Sequence, residues 1–143
     1  MSEFPDSPFG TIITDTQVVA TMATLHGWED RYRQVVMWGK QLPKMDEGHK
    51  QATVKIAGCE SQVWLLAACD ENGIWRFHAD SDARIVRGLI AIVFAALNHK
   101  NTQQIQSIDI EAYFEQLGLL NHLSASRGNG LRAIVDTIRQ SVA

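Results

Sequence analysis

The stretch SDARIVRGLIAIVFAALNHK, residues 81–100, constrains this chain more than any other. Its apolar residues Ile85, Val86, Leu89, Ile90, Ile92, Val93, Phe94 and Leu97 cover most of the circumference of a helix. A helix apolar on nearly all sides has to be covered on nearly all sides, so it belongs at the centre of a fold. The run is too short to span a bilayer and carries Arg87 inside it, so no membrane span is expected. Asp80 or Ser81 is placed to cap its start.

Such a helix needs a surface to pack on, and the preceding residues supply one. QVWLLAAC alternates: Val63, Leu65, Ala67 and Cys69 share one face of a strand, and Trp64, Leu66 and Ala68 the other. IWRFHAD alternates again, with Trp75, Phe77 and Ala79 on one side and Ile74, Arg76 and His78 on the other. Between them stands DENG, in which Asn72-Gly73 predicts a tight turn whose two positions both tolerate positive φ. The pair reads as a β-hairpin, and Cys69 reads as a core residue of its first strand.

The flanks are helical. Thr14 or Thr16 caps a first helix that runs to about Leu25 and ends at Gly27. WEDRYRQVVMWGKQL forms a second, with Tyr32, Val35, Val36 and Leu42 as its apolar stripe and Gly39 and Pro43 marking its end. KMDEGHKQ is polar and reads as turn or loop. TQQIQSID and DIEAYFEQLG give two short helices, the second capped by Asp109 and stopped at Gly118. LSASRGNGLRAIVDTIRQ closes the chain with Leu131, Ile134, Val135 and Ile138 in a stripe and Ser124 as a candidate cap. No repeat or linker divides residues 1–143. The expected class is therefore α+β: one domain with a small antiparallel β-sheet packed against helices.

Composition bounds the function. The net charge of −3 and pI near 5.9 leave no broad basic surface for a phosphate backbone, so no nucleic-acid partner is expected. No secretory signal is visible at MSEFPDSPFG, and two cysteines do not make a disulfide framework, which together point to a cytoplasmic protein. His26, His49, His78, His99 and His122 are scattered without ligand spacing, and no metal site is expected from them.

Cys59, in IAGCESQVW, stands out. It follows Gly58, precedes three polar residues and sits just ahead of the first strand of the hairpin. Loop positions leading into rigid elements are common mounts for reactive groups. A thiol there acts as its thiolate and needs access and a route for its proton. Spacing alone leaves both an inert free thiol and a reactive one open.

Four blocks in order, WEDRYRQVVMWGKQLP, IAGCESQVW, ADSDARIVRGLIA and LSASRGNGL, resemble the SufE/CsdE family of sulfur-acceptor proteins, from about Phe9 to the C-terminus. PFGT, GKQLP, IAGCE and LSASR lean to the CsdE branch, whereas SQVW is closer to SufE wording and Ala79 stands where the family often has glycine. The resemblance implies the compact SufE/IscU-like fold. It implies that Cys59 accepts sulfur from the persulfide of a PLP-dependent cysteine desulfurase of the SufS/CsdA type and stimulates that enzyme. The sulfur would then pass to a downstream acceptor, either a cluster scaffold or a tRNA-modifying enzyme. PLP belongs to the partner, and this chain would bind no cofactor. The family's cysteine loop can tuck its thiol against an apolar cavity and swing out on docking. Arg127, in LSASRGNGL, matches an arginine near that loop and would anchor it or favour the thiolate; the alternative is a solvated arginine at a helix start. Arg84 and Arg87 are read as surface arginines, with contact to the acidic side of a partner as the alternative. A different class of function stays open: a non-catalytic activator or binding module of the desulfurase, with Cys59 incidental.

Overall fold

The fold, here a computed structural model, describes residues 4–51, 54–55, 62–119, 123 and 125–142, with backbone alone at 51, 54, 55 and 125–127. In chain order its elements are α1 (Asp15–Ala23), α2 (Trp28–Gln41), α3 (Glu47–Gln51), β1 (Val54–Lys55), β2 (Val63–Cys69), β3 (Ile74–Ser81), α4 (Arg84–Leu97), β4 (Lys100–Asn101), α5 (Thr102–Ser107), α6 (Ile110–Leu117) and α7 (Ala125–Ser141). The four strands form one antiparallel sheet in the order β1-β2-β3-β4. The α+β expectation is met.

Helix α4 is as central as its composition demands: residues 88–97 are buried without interruption. On one side it takes the inner face of the hairpin, where Leu65 lies opposite Ala79 and Ala67 opposite Phe77. Leu65, Phe77 and Ala79 are buried there, and the Phe77 ring stacks on Phe94 at 5.8 Å. Helix α2 crosses its other side. The crossing is made by two glycines: a Cβ at Gly39 would lie 2.7 Å from the backbone nitrogen of Gly88, and a Cβ at Gly88 would run into the carbonyl of Val35. Gly39 is therefore an interior residue of α2, where the sequence suggested a stop; its lack of a side chain serves close approach. Trp38 and Leu42 are buried on the same side of the fold, while Tyr32 is exposed.

The other helices follow their local signals. The Thr14 hydroxyl accepts from the Gln17 amide at the start of α1. Asp109 caps α6 through the Ala112 amide, and Gly118 ends it in the left-handed region at φ 68°. Leu131, Ile134, Val135 and Ile138 of α7 are all buried. Ser124 lies outside the described residues.

Two local expectations are corrected. The hairpin turns through a longer loop than Asn72-Gly73 suggested: Gly73 alone has positive φ, its amide donates to the Asp70 carbonyl, and the Asp70 carboxylate accepts from the Asn72 and Ile74 amides. Asp70 builds this loop by satisfying amides that a two-residue turn would have paired across the ladder. KMDEGHKQ is not a plain loop either; the Asp46 carboxylate accepts from the His49 amide at 2.7 Å and starts the short helix α3.

Candidate functional site

Strand β1 pairs with β2 through Val54↔Leu65 and Lys55↔Trp64. Cys59 thus falls in the stretch of chain that joins two neighbouring antiparallel strands. Residues 56–61 themselves, Cys59 included, lie outside the described residues. The side chain of Arg127 does too, although its backbone stands in the first turn of α7.

What the structure does describe is how the far end of that stretch is held. The Gln62 amide donates to the Asp82 carboxylate at 3.1 Å, and its carbonyl accepts from the Ser81 hydroxyl at 2.7 Å and from the Asp82 amide at 3.4 Å. The Ser81 oxygen also accepts from the Ala83 amide at 3.2 Å. Three residues beyond Cys59, the backbone is tied on both its donor and its acceptor to the turn between β3 and α4. The sequence suggested Asp80 or Ser81 as the cap of α4. The cap position is Ala83, whose methyl side chain offers no cap; the Asp80 carboxylate and the Ser81 hydroxyl serve other partners.

Asp80 is the anchor beneath. One carboxylate oxygen accepts from the Met45 amide at 2.9 Å; the other accepts from the Ser81 amide at 2.7 Å and from the Arg87 guanidinium. Arg87 reaches back across α4 to the carbonyls of Gly39 and Leu42, so one side chain joins the end of α2 to the end of β3. Arg87 and Asp80 are only 14% and 8% exposed at their side chains. Arg87 is therefore an interior ion-pair partner, contrary to its reading as a surface arginine: α2 lies over the turn of α4 from which it projects. Removing one member of so enclosed a pair would strand the other charge. Arg84, one turn earlier, is exposed as expected.

Beside this anchor runs a shallow groove of about 820 Å³, lined by Trp28, Tyr32 and Val36 of α2 and by Asp82, Arg84 and Ile85. Cys69, read as core, is exposed at the outer end of β2. It shares the inner face with Leu65 but is the last residue of the strand, opposite Trp75.

The opposite face of the sheet is polar and aromatic. Lys50 of α3 lies over the Trp64 ring, 4.2 Å from its centre. The rings of His49 and His78 meet edge to face at 5.6 Å, and Phe4 packs on His78 at 5.5 Å. His78 is 3% exposed, and its Nε2 has no hydrogen-bond partner among the described residues. Burial foremost, and the neighbouring His49 next, hold its pKa below the ordinary histidine value. Two of the five scattered histidines thus come together. Among the described residues no three histidine, cysteine or carboxylate groups are placed to hold a metal, and no helix is long and apolar enough to cross a membrane.

Sequence reasoning missed the Asp80, Ser81, Asp82 and Arg87 network. The signal was the polar triplet ahead of an apolar helix, which has two uses, capping and long-range anchoring, that spacing does not separate.

An antiparallel sheet with one buried helix behind it defines a small α+β protein, and its architecture is shared. The solution structure of a hypothetical protein from Thermus thermophilus superposes with a TM-score of 0.72 at 16% identity, covering 90% of this chain and 92% of that one. The family model described as SufE, Fe-S metabolism associated domain, matches residues 16–142. The sulfur acceptor protein CsdE of Escherichia coli K12 is 44% identical over 136 residues, 95% of this chain and 92% of that protein. An uncharacterized SufE-like protein of Rhizobium etli is 43% identical over 127 residues, 87% of this chain and 86% of its own length. The chain belongs to the SufE family, on its CsdE branch.

Proposed function

We propose that this protein is a sulfur acceptor: its Cys59 takes sulfur from a PLP-dependent cysteine desulfurase of the SufS/CsdA type, stimulates that enzyme, and delivers the sulfur onward. The observation that carries the reading is the 44% identity, over 95% of the chain, to a protein named as a sulfur acceptor. The placement of Cys59 between β1 and β2, three residues from a backbone tied down by Ser81 and Asp82, agrees with it. A cysteine that exchanges sulfur with a partner benefits from a firm base close behind it, because two sulfur atoms must be brought into bonding reach.

The chemistry is a thiol–disulfide type exchange. The Cys59 thiolate attacks the outer sulfur of the desulfurase persulfide. The bond between the two desulfurase sulfurs breaks, its inner sulfur leaves as a thiolate, and the proton of the persulfide stays on the transferred sulfur. Cys59 then carries S–SH. A cluster scaffold or a tRNA-modifying enzyme takes the outer sulfur by the same exchange. Arg127, in the first turn of α7, assists by anchoring the cysteine segment or favouring its thiolate.

Intact mass without reductant tests this. After incubation with a desulfurase, PLP and cysteine, a species heavier by one sulfur atom appears in the wild type and is absent in Cys59→Ser. Arg127→Ala slows its appearance while circular dichroism stays unchanged, and Arg127→Lys restores it in part. Desulfurase stimulation that survives intact in Cys59→Ser assigns the protein to the non-catalytic activators. Loss of the species in Cys69→Ser but not in Cys59→Ser moves the role to the other cysteine.

A further inference from the structure

The outer face of the sheet holds a group that its surroundings do not suit. His78 projects from the middle of β3 into a packed cluster of rings drawn from three parts of the chain: Phe4 from the N-terminal segment, His49 from α3 and His78 itself. Its Nε2 is buried with no hydrogen-bond partner among the described residues. A neutral imidazole can keep that atom as a bare acceptor. An imidazolium cannot be accommodated so cheaply, since it would place a proton and a charge there.

The charges around it are already committed. Asp80, two residues along the strand, is occupied by Arg87, by the Met45 amide and by the Ser81 amide. Asp46, ahead of α3, is bound to the His49 amide and lies 3.2 Å from the His49 ring nitrogen. His49 itself faces His78 from α3 and would repel it once charged. Arg76 precedes His78 on the same side of β3, and Lys50 sits over Trp64 on β2. From β2, the residue opposite His78 is the uncharged Leu66.

We propose that Phe4, His49 and His78 form a proton-operated clasp: protonation of His78 releases α3 and the N-terminal segment from the outer face of the sheet. The sign follows from linkage. A histidine held neutral by the fold binds its proton more readily once the clasp opens. The closed form is therefore fully favoured above the ordinary histidine pKa of about 6.5, and loses ground as pH falls below it. Two residues separate the end of helix α3 from β1, and β1 leads into the segment that holds Cys59. On the reading that Cys59 accepts sulfur, the freed helix is the one that precedes β1 and, through it, the chain leading to Cys59.

Two-dimensional NMR of the protein alone, titrated from pH 7.5 to pH 5, tests the clasp without any desulfurase, so its failure leaves the Cys59 assignment standing and the reverse. The expected result is that the His78 ring and the backbone amides of residues 46–51 move through one shared midpoint below about 6.5. In His78→Phe, which keeps an uncharged ring at every pH, the backbone amides of residues 46–51 no longer move through that midpoint. A His78 midpoint at or above the ordinary histidine value overturns the proposal. So does an α3 transition that persists in His78→Phe, or α3 amides that stay still while His78 titrates. Should His78→Phe not fold, the wild-type titration with His78→Gln in its place decides by the same outcomes.

Discussion

The two faces of the sheet are built on different principles. On the inner face Leu65, Phe77 and Ala79 are buried against α4, and the layer behind is closed by a glycine crossing that leaves no room for adjustment. On the outer face Trp64 and His78 are covered by Lys50, His49 and Phe4, which touch through ring edges and a cation. Dispersion and burial hold the first face, and it can only be lost with the fold. The second is held by a few contacts whose strength depends on charge, so it can open while the first stays shut. The stretch carrying Cys59 joins β1, at one edge of the sheet, to β2. The changeable cover thus lies on the elements that flank the cysteine, and the rigid layer lies beneath.

That contrast can be attacked from either side. Phe94→Ala should do the most damage, about 3–5 kcal/mol of stability by urea unfolding, because it empties the ring position behind Phe77. A loss near 1 kcal/mol would mean that the inner layer collapses to fill space and is not rigid. Gly88→Ala comes next, at about 1–3 kcal/mol, since the new methyl meets the Val35 backbone and α2 has to lift. Its unfolding midpoint should fall, while Gly73→Ala at the hairpin tip, where no atom crowds the position, costs only its φ strain. Lys50→Ala should be mildest, about 0.5–1 kcal/mol or less, lost with the cation over Trp64. It should change Trp fluorescence more than it changes stability. A loss as large as that of Gly88→Ala would erase the distinction between the faces.

The sequence carried the inner face well because its signals are local and periodic. The alternation in QVWLLAAC and IWRFHAD set the register, and the all-round apolarity of residues 84–97 set the layer order. Where the reading failed, a distant partner decided. Gly39 looked like a stop until Gly88 was brought against it. Arg87 looked solvent-bound until α2 covered it. Cys69 kept the right face but stands exposed as the last residue of β2. His49 and His78 stand far apart in the chain, and only the docking of α3 makes them neighbours. The IAGCE block marked Cys59 as the candidate, whereas the Ser81 and Asp82 ties behind it needed the turn between β3 and α4 to be seen in space.

One contact marks where the cooperative unit starts. The Asn98 amide group donates to the Phe9 carbonyl and accepts from the Phe77 amide, linking the N-terminal segment, β3 and the end of α4 through one planar side chain. Phe9 is fully enclosed. The family match begins at residue 16, inside α1. A chain trimmed to residue 16 would have a hole where Phe9 sat and an amide left half-bonded in the interior, so the cooperative unit includes residues that the family model leaves out. The similarity to CsdE, which covers 95% of the chain, takes them in.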